Sequence, residues 1–137
     1  MHSPTIPFRL VSTQREEQLA QFNARKEIAW FGFRGAFEEP GLAIINFTKI
    51  ESGLQGGGGT SAINGGVIAA GFDAAFVLAG LGHYDSKVVV TLELSVKFLS
   101  LACRVPCDYL PRRSWPLFKA RAVLRGLLAS NDLESTS

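Results

Sequence analysis

One carboxylate inside an apolar helix is the first feature of this chain that could do chemistry. Residues 67 to 81 read VIAAGFDAAFVLAGL, and Asp73 is the single charge in that run. Burying an unpaired carboxylate costs on the order of several kcal/mol even after relaxation. The positions one turn away are Ala69, Ala70, Phe76 and Val77, so there is no polar stripe for Asp73 to join. An arginine from another element would satisfy it structurally. The functional alternative is a carboxylate held in an apolar cleft as a general base or nucleophile, where desolvation raises its pKa towards neutrality.

Asn64, Gly65 and Gly66 stand directly in front of this helix. Backbone amides in a first helical turn have no partner inside the helix, and the dipole there favours negative charge. Glycine lets a ligand approach closely, so an amide here could donate to a carbonyl oxygen that becomes an oxyanion. Asp73 lies seven residues past Gly66, about 10 Å of helix rise. That is too far for one small reacting centre within one subunit, and it is easier to accept if a neighbouring subunit completes the site.

The elements that must position these residues can be read on either side. STQREEQLAQFNARKEI predicts a helix opened by a capping box from Thr13 to Glu16, with Leu19, Ala20 and Phe22 as its apolar stripe. AWFGFRGAF and LAIINFTKI predict two strands joined by the turn EEPG, where Pro40 presets φ and Gly41 accepts a positive φ. Residues 52 to 66 form a loop in which seven of fifteen residues are glycine, which suits flexibility or close backbone approach. No Lys-Ser or Lys-Thr follows those glycines, so this is not a Walker loop, and the spacing of a dinucleotide fingerprint is not met. Beyond the helix, Val90, Leu92, Leu94, Val96 and Phe98 alternate with Thr91, Glu93, Ser95, Lys97 and Leu99, which predicts a long half-buried strand. PLFKARAVLRG fits a strand or a helix about equally, and the last nine residues are polar and expected to fray.

Composition bounds the reading. The chain of 137 residues is one domain's worth, and 47% hydrophobic with 19% charged residues makes it globular. A net charge of +2 is too small to argue for nucleic acid, and the ten Phe fall in periodic segments that suit a core. The apolar helix is too short to span a bilayer. No signal peptide is evident at the start. A cytoplasmic protein with no membrane partner is therefore expected. Cys103 and Cys107 form a lone C-x3-C without the further ligands a zinc site needs, so no metal or cofactor is expected.

NGGVIAAGFD followed by VVVTLELSVKFLSLA resembles the core of PaaI-like hotdog-fold acyl-CoA thioesterases, over roughly residues 28 to 102. The pattern there is a His or Asn, then Gly-Gly, then Asp or Glu seven residues on. A strand follows with the spacing seen here from Thr91 to Phe98 and Leu99. The resemblance implies an α+β hotdog fold, a curved antiparallel sheet wrapped around the central helix, filling residues 1 to 137 as one domain. It implies Asp73 as the catalytic carboxylate, the Gly65 amide as oxyanion donor, and Thr91 as the group that positions water. Asn64 stands where many members have His and can orient a thioester oxygen but not take a proton. Gly66 and Gln55 are substrate contacts on this reading. The substrate is an acyl-CoA, and the partner is a second copy in a homodimer or homotetramer, with the site between subunits. Residues 103 to 137 depart from the pattern, so the C-terminal strands are expected to be incomplete. Two other functions stay open: a hotdog dehydratase or hydratase, for which His83 is the candidate histidine, and a non-catalytic acyl-CoA-binding or scaffold protein.

Overall fold

The computed structural model describes residues 5–55, 62–97, 117–123 and 126–132. In chain order the elements are α1 (Ser12–Asn23), α2 (Lys26–Trp30), β1 (Phe33–Glu38), β2 (Leu42–Phe47), a 3-10 turn (Ser52–Leu54), α3 (Gly65–Leu81), β3 (Leu117–Val123) and β4 (Gly126–Asp132). The four strands make one antiparallel sheet in the order β1-β2-β3-β4. The fold is α+β, with α3 packed on one face of the sheet.

Alternation along β2 explains that packing. Ala43, Ile45 and Phe47 point into the core, while Leu42, Ile44 and Asn46 are half-buried. The register pairs Ile45 with Gly35 and Phe118, and Ala43 with Phe37 and Ala120, so one face of three strands is apolar. Against it α3 buries Val67, Ile68, Gly71, Ala74, Ala75, Val77 and Leu78. Each large side chain so buried stabilises the domain by about 1.5–3 kcal/mol. Gly71 is needed here because a Cβ would come within 2.3 Å of the Phe118 ring.

α1 closes one edge of the sheet. Asn23 accepts from the Gly35 amide at 2.7 Å and donates to the Gly35 carbonyl at 3.1 Å. The outer backbone groups of β1 are thereby satisfied at its middle, which protects an edge that could otherwise pair with another chain. Gln18 is buried and its carboxamide donates to the carbonyls of Leu81, Tyr84 and Ser86 at 3.4, 3.1 and 2.9 Å. It thus holds the C-terminal end of α3 and the chain leaving it.

Several local expectations are corrected. The first helix starts at Ser12 with Val11 at the N-cap, and Gln14, rather than Glu16, reaches back to the Val11 amide. Ala20 is exposed, and the buried residues of α1 are Gln18 and Phe22. Ala29 and Trp30 belong to α2, because Gly32 at φ 70° breaks the chain direction before β1 can begin. Gly41 has no positive φ. It is small because the Ile6 carbonyl passes where its Cβ would be. The Glu39–Pro40 bond beside it is cis. The ambiguous segment from Leu117 is a strand, and the polar end is ordered into β4 as far as Asp132.

The long alternating segment is the largest departure. Residues 85–97 form no strand with any described residue. Val90, Leu92 and Leu94 are exposed together with Glu93 and Ser95, while Val89, Thr91 and Val96 are half-buried, so no alternating face of the segment is turned inward along its length. Alternation marks a segment with two unlike faces, but a strand also needs a neighbour to bond with. Phe98, Leu99, Cys103 and Cys107 lie outside the described residues. No helix among the described residues is long and apolar enough to cross a membrane.

Candidate functional site at the head and open face of the central helix

The site begins with how α3 starts. Asn64 is its N-cap, and the side-chain oxygen accepts from the Gly66 amide at 2.8 Å. Its backbone carbonyl accepts from Val67 and Ile68, and its amide donates to the Leu54 carbonyl at 2.8 Å. Asn is among the best N-caps for this reason. The role was in plain view in the residue type and position, yet the Asn-Gly-Gly pattern drew attention to substrate contacts instead.

This cap separates the two glycine amides. The Gly66 amide is engaged by Asn64, so Gly66 is corrected as a donor to a ligand. The Gly65 amide makes no hydrogen bond to another described residue and stands at the positive end of a 17-residue helix. Among the described residues, a Gly66 Cβ would meet only Asn64 Oδ1, at 3.1 Å. Gln55 joins the same corner, since it bridges to Ile63, the residue before Asn64. The structure thus brings Gln55, Asn64, Gly65 and Gly66 together.

Asp73 is on the same helix but in a different environment from the one expected. It is exposed, on a face that also carries Gly66, Ala69, Ala70, Phe72 and Phe76. These positions recur at three and four residues, which is one side of a helix. The sheet covers the other side. Phe72 leans from this open face onto Phe118, ring centroids 5.2 Å apart. In one chain, then, Asp73 is a wet carboxylate on an otherwise apolar strip, and no arginine pairs with it among the described residues. The described residues of one subunit build no cleft around it.

Thr91 is not joined to Asp73. Its hydroxyl is buried, and the oxygen has no hydrogen-bond partner among the described residues. A buried hydroxyl left unsatisfied costs about 1–3 kcal/mol, so Thr91 is a place where the fold tolerates a loss. His83 carries the other such atom, Nε2. It sits just past the C-cap Gly82, at the opposite end of α3 from Asn64. Burial and then the charge of Arg9 hold its pKa below the ordinary 6.5. No carboxylate among the described residues partners it, which counts against the paired His and acid that a dehydratase requires.

Comparison of the chain with family models, with curated proteins and with solved structures gives no match.

Proposed function

We propose that the chain is one subunit of a hotdog-fold acyl-CoA thioesterase, with a site completed by a second copy. The observation that carries this reading is the position of Asp73. A carboxylate stands on the apolar face of α3 that the described strands leave uncovered, on the same helix as a Gly65 amide that bonds to no other described residue. The sequence resemblance supports it, and the packing of a sheet on α3 is compatible with a hotdog.

On this reading the thioester carbonyl oxygen accepts from the Gly65 N–H of one copy. Asp73 of the other copy takes a proton from water as it attacks the carbonyl carbon, or attacks that carbon itself. In the first route the adduct collapses with loss of the CoA thiolate. In the second the thiolate leaves as an Asp73 mixed anhydride forms, which water then hydrolyses. Either route consumes one water, breaks the C–S bond and releases a carboxylic acid and the CoA thiol. About 12 Å of helix rise between Gly65 and Asp73 within one chain is what calls for two copies. Thr91, whose hydroxyl has no hydrogen-bond partner among the described residues, is the candidate to hold the water.

Residues 86 to 94 supply the means for two copies to meet. Val88, Val90 and Leu92 are 73%, 65% and 95% exposed. An exposed apolar strip of this kind, on a segment that forms no ladder with a described residue, suits contact with another chain. Antiparallel pairing with a second copy centred on Val90 sets Val88 against Leu92 and Lys87 against Glu93, each twice. Such cross-strand pairs contribute roughly 0.2–1 kcal/mol apiece. Val89 packs on Gly80 of α3, where an added Cβ would come within 2.6 Å of it, so the second copy would be set beside that helix.

The alternative is a non-catalytic acyl-CoA-binding protein, favoured by the separation of Thr91 from Asp73. Release of free thiol from a panel of straight-chain and aryl CoA thioesters distinguishes the two. Turnover that saturates with substrate is expected. Binding of the same thioesters without thiol release would assign the chain to the alternative.

A further inference from the structure

We infer that residues 5 to 10 form a strap over the closed end of the molecule, and that protonation of His83 releases it.

The strap is held at both sides of a narrow gap. The Phe8 amide donates to the Pro40 carbonyl at 2.9 Å, and the Leu10 amide donates to the Gly82 carbonyl at 3.2 Å. It therefore ties the β1–β2 turn to the end of α3. Both anchor points have been made small for it. A Cβ on Gly41 would lie 2.2 Å from the Ile6 carbonyl oxygen, and one on Gly82 would lie 2.4 Å from Phe8 Cδ1. The Phe8 ring packs edge-on against Phe37 at 4.8 Å, and against the His83 imidazole at 5.5 Å.

His83 is the group this arrangement covers. It is 7% exposed, and its Nε2 is buried with no partner among the described residues. A helix C-terminus normally favours a cation, but here its carbonyls are already engaged by other donors. Gly80 accepts from the His83 and Tyr84 amides, Leu81 from Gln18, and Gly82 from Leu10. The charged groups around the strap do not offer an acceptor either. Arg9, on the strap itself, opposes a second positive charge. Arg15 of α1 lies over the Phe8 ring and is paired to Glu39 of the turn. Glu38, Tyr84 and Asp85 are the remaining titratable neighbours in the flanking chain, and no hydrogen bond or ion pair joins any of them to the imidazole.

The direction of the effect follows from linkage. With the strap closed the imidazole is held neutral; with it open the imidazole is wet and titrates near its ordinary 6.5. The open state binds more protons below that pH. Closure is therefore complete above about pH 6.5 and is lost as pH falls, until the lowered value of the closed form is passed. One proton shifts the balance about tenfold per pH unit in that window. Opening the strap hydrates His83 without dismantling the sheet, so it is the cheaper response to acid than global unfolding.

Amide hydrogen exchange read residue by residue by NMR from pH 7.5 to 5.0 tests this, after correction for intrinsic rates. Protection at Phe8 and Leu10 is expected to fall up to tenfold per unit below pH 6.5, while Ala43 and Ile45 keep theirs. In His83→Gln, with His2 retained, the strap amides should show a flat profile. Titration of the His83 ring protons in the unaltered chain gives a second reading, with a midpoint expected below 6.5 that rises in Arg9→Gln. Strap protection independent of pH, a pH dependence that persists in His83→Gln, or a His83 midpoint at or above 6.5 would each overturn the proposal.

Discussion

The Phe118 ring lies directly against the backbone of Gly71, with Cε2 and Cζ both 2.3 Å from where a Cβ would be. This contact seats β3 on the middle of α3, two residues before Asp73. The end of the chain is therefore part of what fixes the open face of the helix.

Gly71→Ala is expected to destabilise the fold by roughly 1–3 kcal/mol, the usual cost of overpacking a core. At an open helical position the same change would stabilise by about 0.5–1 kcal/mol, so the sign of the shift in thermal unfolding decides. Adding Phe118→Leu should recover part of the loss. A raised melting temperature in Gly71→Ala alone would mean the two elements do not touch.

Much of this was legible from residues and some was not. The helix expected from Gly66 to Leu81 is present from Gly65, because a long apolar run behind Asn-Gly-Gly leaves few alternatives. The β1–β2 hairpin was readable from two apolar runs around a Pro-Gly turn. Trp30 was misplaced because aromatic residues favour strands, while Gly32 φ and the burial of Ile28 set the local structure instead. The segment around Leu92 was misread for a deeper reason: its period shows two faces, and its neighbours in space decide whether either face turns inward. At the site, Asp73 was found by its oddness, but its exposure depends on which elements cover α3, and no local pattern carries that. Gln18 was missed altogether, because its value lies in three carbonyls more than sixty residues away.

Asn64→Ala should lower stability by about 1 kcal/mol through loss of the cap, and Asn64→Asp should keep it. Chemical denaturation of the three forms measures this. Because the side-chain oxygen is already engaged with Gly66, Asn64→Asp is also expected to retain turnover within a few fold. A normal fold with lost turnover would instead place the carboxamide on the substrate.

Leu92→Glu is expected to shift the protein from dimer to monomer in light scattering. Its circular dichroism should not change, since a side chain 95% exposed in one chain supports nothing within it. Glu93→Lys alone should weaken the dimer, and Lys87→Glu with Glu93→Lys should restore it. A monomer in the unaltered chain at about 100 μM, or a Leu92→Glu dimer of undiminished affinity, would remove the self-pairing.

The central claim is that Asp73 does the chemistry, and its removal is the most direct test. Acyl-CoA hydrolysis should be compared in the unaltered chain and in Asp73→Asn, at equal oligomeric state by light scattering. The substitution keeps the shape and removes the base, so kcat/KM is expected to drop by about a hundredfold or more. Thermal unfolding should hardly move, because Asp73 is exposed and makes no ion pair with a described residue. An Asp73→Asn protein that hydrolyses the same thioester within a few fold of the unaltered rate would contradict the assignment.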